Sequence, residues 1–263
     1  MSTFPPVPGL PDDPPQAGYY ESDTLLSEYA EFHYGDEYFG VPNFPRALAQ
    51  LAIRAMGERP RRRALDLGCA LGRASFELAR AFDGVTGIDF SARFIGLATR
   101  IAEQGGLGYT LADEGELVTR RECRLADLGL EETRGRVCFL QGDACDLGSG
   151  FSGYDLILAG NLIDRLHRPA GFLDSVHARV NTGGLLVIAS PYTWLLEHTP
   201  REAWLGGFMR DGKRFTSLDG LKARLAGRFR LVGEPLDVPF VIRETRRKFQ
   251  HTLSEVTLWE RLA

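Results

Sequence analysis

Residues Ala64 to Gly72 read A-L-D-L-G-C-A-L-G, and the helix-forming run Arg73 to Phe82 follows at once. A short apolar strand ends in an acid and then a glycine turn, which is the first strand–turn–helix of a nucleotide-cofactor fold. Gly68 and Gly72 serve such a turn because a ligand approaches backbone closely only where no Cβ stands in the way, and because positive φ is open to them.

The spacing, acid-x-G-x-x-x-G from Asp66 to Gly72, resembles the first motif of S-adenosylmethionine (SAM)-dependent methyltransferases. A pyrophosphate loop of the G-x-G-x-x-G type is absent, since Ala70 stands where its second glycine would be. Further along, Gly84 to Phe90 is a second short strand ending in Asp89, 23 residues after Asp66. A carboxylate there suits a ribose, whose two vicinal hydroxyls it accepts together. A third strand runs through R-V-C-F-L-Q-G-D-A, with Asp143 just past its end. In the SAM-enzyme pattern Asp143 approaches the adenine amine and the backbone at Ala144 meets the ring; otherwise Asp143 is a turn former after Gly142. The expected cofactor set is Asp66, Gly68, Ala70, Gly72, Asp89, Phe90, Asp143, Ala144 and Asn161.

The rest of the chain is consistent with an α/β protein of one domain. At 263 residues and net charge -4 there is no basic surface suited to a phosphate backbone, so nucleic acid is not an expected partner and a small molecule is. Cys69, Cys123, Cys138 and Cys145 lack C-x-x-C pairing, as reduced thiols of a cytoplasmic protein would. No apolar run is long enough for a bilayer, so no membrane partner is expected. His33, His167, His177, His198 and His251 show no ligand spacing, and no metal is expected.

Residues 1–17 carry six prolines and few core formers, which predicts a disordered tail before a domain over 18–263. Within the domain, 18–58 is expected to form an N-terminal helical lid rich in aromatics (Tyr19, Tyr20, Tyr29, Phe32, Tyr34, Tyr38, Phe39). Residues 104–136 are polar and glycine-punctuated, a helical or hairpin insertion on the rim. The fourth strand, Y-D-L-I-L-A-G-N, places Asn161 and then Asp164 at a strand's carboxyl end, where ligands of open α/β sheets bind. Asp164 is there either to face the acceptor or as a helix-start carboxylate. Strands alternate with helices until the last pair, so the expected fold is a Rossmann-like seven-stranded, mostly parallel sheet with an antiparallel C-terminal edge hairpin.

Longer matches carry a narrower resemblance: Y-Y-E-S-D-T-L-L-S-E-Y-A-E-F-H-Y-G, V-P-N-F-P, A-L-D-L-G-C-A-L-G-R-A-S-F-E-L-A, Q-G-D-A-C-D-L, N-L-I-D-R-L, S-P-Y-T-W and V-P-F-V-I-R-E-T. Together they resemble the 5-thiohistidine (4-mercaptohistidine) N-methyltransferase family of ovothiol biosynthesis, from about Tyr19 to Arg261. The resemblance implies methyl transfer from SAM to the π imidazole nitrogen of 5-thiohistidine or its seleno analogue, with S-adenosylhomocysteine as product. In that family the domain is often fused behind a non-haem iron sulfoxide synthase; the expectation here is a stand-alone step acting after a separate synthase. Asp164 is the first choice for orienting the ring, with His33 or Tyr34 second. Arg243 is the choice for the substrate carboxylate, unless it is an exposed strand-end charge, and Asn43 or Tyr192 for its amino group or ring. The alternatives are a SAM enzyme for another small imidazole, amine or thiol, or a non-catalytic SAM-binding module.

Overall fold

The structure, a computed structural model, describes residues 23–263; the proline-rich tail, Tyr19, Tyr20 and Ser22 lie outside the described residues. Helices α1 (Asp23–Tyr34) and α2 (Phe44–Met56) precede β1 (Arg63–Leu67), α3 (Arg73–Leu78), β2 (Gly84–Asp89) and α4 (Ala92–Gln104). A hairpin, β3 (Gly106–Glu114) and β4 (Leu117–Arg124), separates these from β5 (Val137–Gln141) and β6 (Tyr154–Gly160). Then come α5 (Pro169–Val176), β7 (Val180–Ser190), the short pair β8 (Phe208–Arg210) and β9 (Lys213–Phe215), α6 (Ser217–Leu225), β10 (Phe229–Leu231), β11 (Leu236–Arg243) and β12 (Phe249–Arg261).

The main sheet has eight strands in the order β10-β12-β7-β6-β1-β2-β5, with β11 also on β12. The five strands from β5 to β7 are parallel, and β12 runs antiparallel to β7, β10 and β11. The mostly parallel sheet with an antiparallel edge is therefore as the sequence predicts. The count is eight rather than seven: β10 and β11, separated by a turn at Gly233, φ +70, both pair with β12. The antiparallel strand is β12, one position in from the edge.

Alternation along β1 assigns its two faces. Leu65 and Leu67 enter the core shared with Phe172 and Leu221, whereas Ala64 faces α2 and α3 through Leu48, Ala52 and Leu78. Helix α2 thus belongs to the core layer, and of the expected lid only α1 lies elsewhere, packed with α4 and the β3–β4 hairpin around Leu26, Phe94 and Leu107. At the opposite end of the strands, buried Asp155 accepts from the Arg62 amide at 2.8 Å and from Asn181 Nδ2 at 2.8 Å, tying the starts of β1, β6 and β7. The 104–136 insertion is that hairpin plus a 3₁₀ turn over Glu131–Arg136. No helix among the described residues is long and apolar enough to cross a membrane.

The glycine turn leaves β1 in left-handed backbone: Gly68 at φ +71, Ala70 at φ +44 and Gly72 at φ +82. A Cβ on Gly72 would lie 2.4 Å from Phe139 Cζ. Gly72→Ala is expected to lose about 2–4 kcal/mol, from left-handed strain plus overpacking. Ala70→Gly, which relieves strain, is expected to lose none. Urea unfolding of both variants checks this.

Candidate functional site

Because β1, β2, β5, β6 and β7 are parallel, their carboxyl ends share one edge of the sheet, where open α/β sheets bind ligands. Non-glycine residues in the left-handed region gather there: Ala70 after β1, Asn161 at φ +52 after β6 and Tyr192 at φ +52 after β7. Such backbone is held against its own preference only where the surroundings overdetermine it, and it concentrates at functional sites.

The cofactor residues converge. The Ala70 amide donates to Asp89 Oδ2 at 2.9 Å, and the Ser91 amide to Asp89 Oδ1 at 2.9 Å, so one half-buried carboxylate ties the glycine turn to the start of α4. The Gly68 amide donates to the Ile88 carbonyl at 2.8 Å, and a Cβ at Gly68 would come within 3.1 Å of Leu162. Beneath the turn Asp66 is buried and accepts from Ser75 Oγ at 2.6 Å. Burial, opposed by the Ser75 hydroxyl and reinforced by the nearby Asp89 charge, raises its carboxyl to about 7. Phe90 is half-buried, and its carbonyl accepts from Gln141 Nε2 at 3.1 Å. Asp143 turns the chain after β5 by accepting from the Cys145 amide at 2.8 Å, with Ala144 half-buried beside it. The turn-forming role of Asp143 is thus present in the fold. A bare glycine turn, a carboxylate one strand over and a third acid beyond it fit a SAM molecule laid across the strand ends.

The expected acceptor residues fare differently. Asn43 is spent on the fold: Oδ1 caps α2 through the Arg46 amide at 3.0 Å, and Nδ2 donates to the Phe32 and His33 carbonyls at 3.0 and 3.1 Å. Both of its amide protons are thus engaged within the fold, and Oδ1 holds the helix cap. His33 is buried, its Nδ1 accepts from the Arg73 amide at 3.3 Å, and burial followed by the Arg73 charge lowers its pKa to about 3. Burial thus makes this ring a weaker base than a free imidazole. The Tyr34 hydroxyl donates to the Leu71 carbonyl at 2.6 Å, so Tyr34 pins α1 to the glycine turn instead of acting as a base.

Asp164 is 0 % exposed. Its Oδ2 accepts from the Thr193 amide and from Arg165 Nη1, both at 2.9 Å, while Oδ1 is buried without a hydrogen-bond partner. It anchors the loop after β7 from below and does not open onto the strand edge. Asn161 Oδ1 accepts from Ser254 Oγ at 2.6 Å, and Tyr192 OH donates to Glu255 Oε1 at 2.8 Å. Ser254 and Glu255 are neighbours on β12, and Glu255 pairs in register with Ser190 at the end of β7. Arg243 is not an exposed charge: it is 6 % exposed and pairs through Nη2 with Asp113 at 2.6 Å.

Sequence reading missed Glu31, Asp113, Ser254 and Glu255, which come from the lid, the insertion and the last strand. Glu31 sits one turn before Tyr34, which was the available signal; the other three reach the site only through tertiary pairing. Asp143, Cys145 and His167 also bring ligand-type atoms within 4.8 Å of one another. Burial and the Asp143 charge push the Cys145 thiol up to about 12, and Arg168 Nε donates to His167 Nε2 at 3.0 Å.

Comparison with known proteins agrees with this geometry. A family model described as a methyltransferase domain matches residues 41–228. A ubiquinone biosynthesis O-methyltransferase of Caulobacter sp. (strain K31) is 28% identical over 206 residues, spanning 73% of this chain and 67% of the relative. Among solved structures, magnesium protoporphyrin IX methyltransferase from Synechocystis PCC 6803 with bound SAM aligns at TM-score 0.56 and 15% identity, over 98% of this chain and 100% of the other. N-methyltransferase NodS from Bradyrhizobium japonicum WM9, in complex with S-adenosyl-L-homocysteine, aligns at TM-score 0.53 and 15% identity, over 91% and 99%. With a glycine turn braced by Asp89 inside the matched segment, this chain belongs to the methyltransferase-domain family and is a SAM-dependent enzyme.

Proposed function

We propose that the enzyme transfers the methyl group of SAM to the π imidazole nitrogen of 5-thiohistidine or its seleno analogue. The family supports methyl transfer, and the long sequence resemblance supports the acceptor. At the site, the reading is carried by the Tyr192–Glu255 pair next to the Asn161–Ser254 pair on the strand edge. Bound SAM supplies an electrophilic sulfonium methyl whose S–C bond breaks, leaving the electron pair on sulfur, as the new C–N bond forms.

The chain's own task is to present a neutral ring nitrogen in line and to hold the ring's proton elsewhere. Burial, then the Glu255 charge, pushes the Tyr192 phenol upward, so it stays a donor and fixes the Glu255 carboxylate. Glu255 then accepts the N–H of the opposite ring nitrogen and takes that proton as the methylated ring forms. It replaces Asp164 in this role, since Asp164 is sealed beneath the loop. A second reading, methylation of a small quinol-type oxygen, is supported by the ubiquinone biosynthesis relative, and Glu255 would take a phenolic proton equally well.

Incubation with SAM and 5-thiohistidine is expected to yield a product methylated at the π nitrogen by mass spectrometry and NMR; methylation at sulfur, or turnover of a quinol alone, overturns the acceptor assignment. Glu255→Gln is expected to lower kcat by about 10²-fold or more with SAM affinity unchanged, as read by turnover and calorimetry. Asp66 sets the pH dependence of cofactor binding. It is raised to about 7, so below that pH it is neutral and above it carries the charge that favours a cationic sulfonium. SAM affinity is therefore expected to rise with pH through this range with net proton release, and Asp66→Asn to abolish the trend, measured by calorimetry in buffers of different ionisation enthalpy. Stability of the free enzyme has the opposite sign, because the folded state favours the protonated carboxyl: its contribution is full below the ordinary carboxyl pKa and lost as pH rises through about 7.

A further inference from the structure

We infer that the cavity between α1, the 35–43 loop and the end of β11 receives the head group of an α-amino acid, with Glu31 facing its ammonium and Arg243 its carboxylate. This rests on the amino-acid acceptor argued above and adds the residues that recognise its zwitterion.

Two buried charges there lack what the fold usually provides. Glu31 is 2 % exposed, yet among the described residues it forms no salt bridge. The acids around it do: Asp36 pairs with Arg121, Glu37 with Arg46 and Asp113 with Arg243. Glu31 is held by hydroxyls and an amide instead, accepting from Tyr109 OH at 2.7 Å, from Tyr38 OH and from the Asp36 amide at 3.4 Å. An ionised carboxylate has room for about four donors, so an ammonium N–H can be added. Arg243 lines the same cavity with Nη1 buried and unpartnered, an orphan donor suited to a carboxylate. A buried carboxylate that forms no ion pair and a buried guanidinium whose Nη1 has no hydrogen-bond partner, although Nη2 pairs with Asp113, line one cavity and complement a zwitterion.

The position fits the chemistry. Arg243 ends β11, which runs antiparallel to β12 and so points the same way as the central strands, and it extends past the edge that carries Asn161 and Tyr192, since Asp237 is the residue in register with Glu255 and Arg243 is in register with Phe249. Glu31 lies one helical turn before Tyr34, whose hydroxyl holds the glycine turn. Gly35 is required here, since a Cβ would stand 2.2 Å from the Glu31 carboxyl carbon. The cavity now measures about 10 Å³, room for a water, so the head group enters as the outer wall retreats. Between the lining residues Tyr38 and Val41 the same loop carries Phe39, 71 % exposed at φ +56, and Gly40 at φ +74.

The test measures binding of L-histidine, histamine and imidazole-4-propanoate to the protein loaded with S-adenosylhomocysteine, in wild type, Glu31→Gln and Arg243→Gln, by calorimetry. Glu31→Gln keeps shape and acceptor and is expected to weaken L-histidine and histamine at least tenfold while leaving the propanoate unchanged. Arg243→Gln is expected to weaken L-histidine and the propanoate but not histamine. Equal weakening of all three probes, or a lowered Tm with no probe selectivity, marks Glu31 and Arg243 as structural and overturns the inference, as does L-histidine binding no better than the two truncated probes in wild type. If the selective pattern holds while 5-thiohistidine is not methylated, the head-group subsite stands and the acceptor assignment alone fails.

Discussion

The cofactor end depends on the hydrogen bond from the Ala70 amide to the Asp89 carboxylate. A non-glycine residue in left-handed backbone costs roughly 1–2 kcal/mol, and a charge-assisted bond offsets a cost of that size. The same carboxylate accepts the Ser91 amide, so β1, β2 and α4 are locked to one another at the point where SAM must lie. Beneath it Asp66 and Ser75 tie β1 to α3, and the close presence of two acids is part of why Asp66 titrates so high.

A second layer of contacts brings the lid onto this frame. Tyr34 reaches the Leu71 carbonyl, His33 accepts the Arg73 amide, and Arg73 returns a bond to the His33 carbonyl at 3.1 Å while pairing with Glu77 inside the protein. One turn earlier on α1, Glu31 takes a hydroxyl from the β3–β4 hairpin and another from the loop after the helix. The inserted hairpin is therefore tied to α1 through Tyr109 and to β11 through Asp113. On the far wall Tyr192 and Asn161, both strained, lean on consecutive residues of β12.

Local chemistry made the cofactor half legible. An apolar strand, an acid, two glycines and a second acid one strand later act through their own backbone neighbourhood, so spacing alone places them. The acceptor half was read by residue type, and the fold gives several of those side chains partners of their own. Asn43 is a good ligand and also a good helix cap, and the cap consumed it. His33 is a base in water, and burial beside Arg73 weakens it. Asp164 follows a strand end as expected, yet the loop after β7 closes over it.

The sequence by itself determined the layered α/β fold and the SAM-binding turn, because alternation of apolar residues and glycine punctuation are local signals. Tertiary structure alone decided how the polar groups beyond the strand ends pair with one another. Glu255 meets Tyr192 across 63 residues and Arg243 meets Asp113 across 130, and only folding fixes which partner neutralises each group and which is left for a ligand.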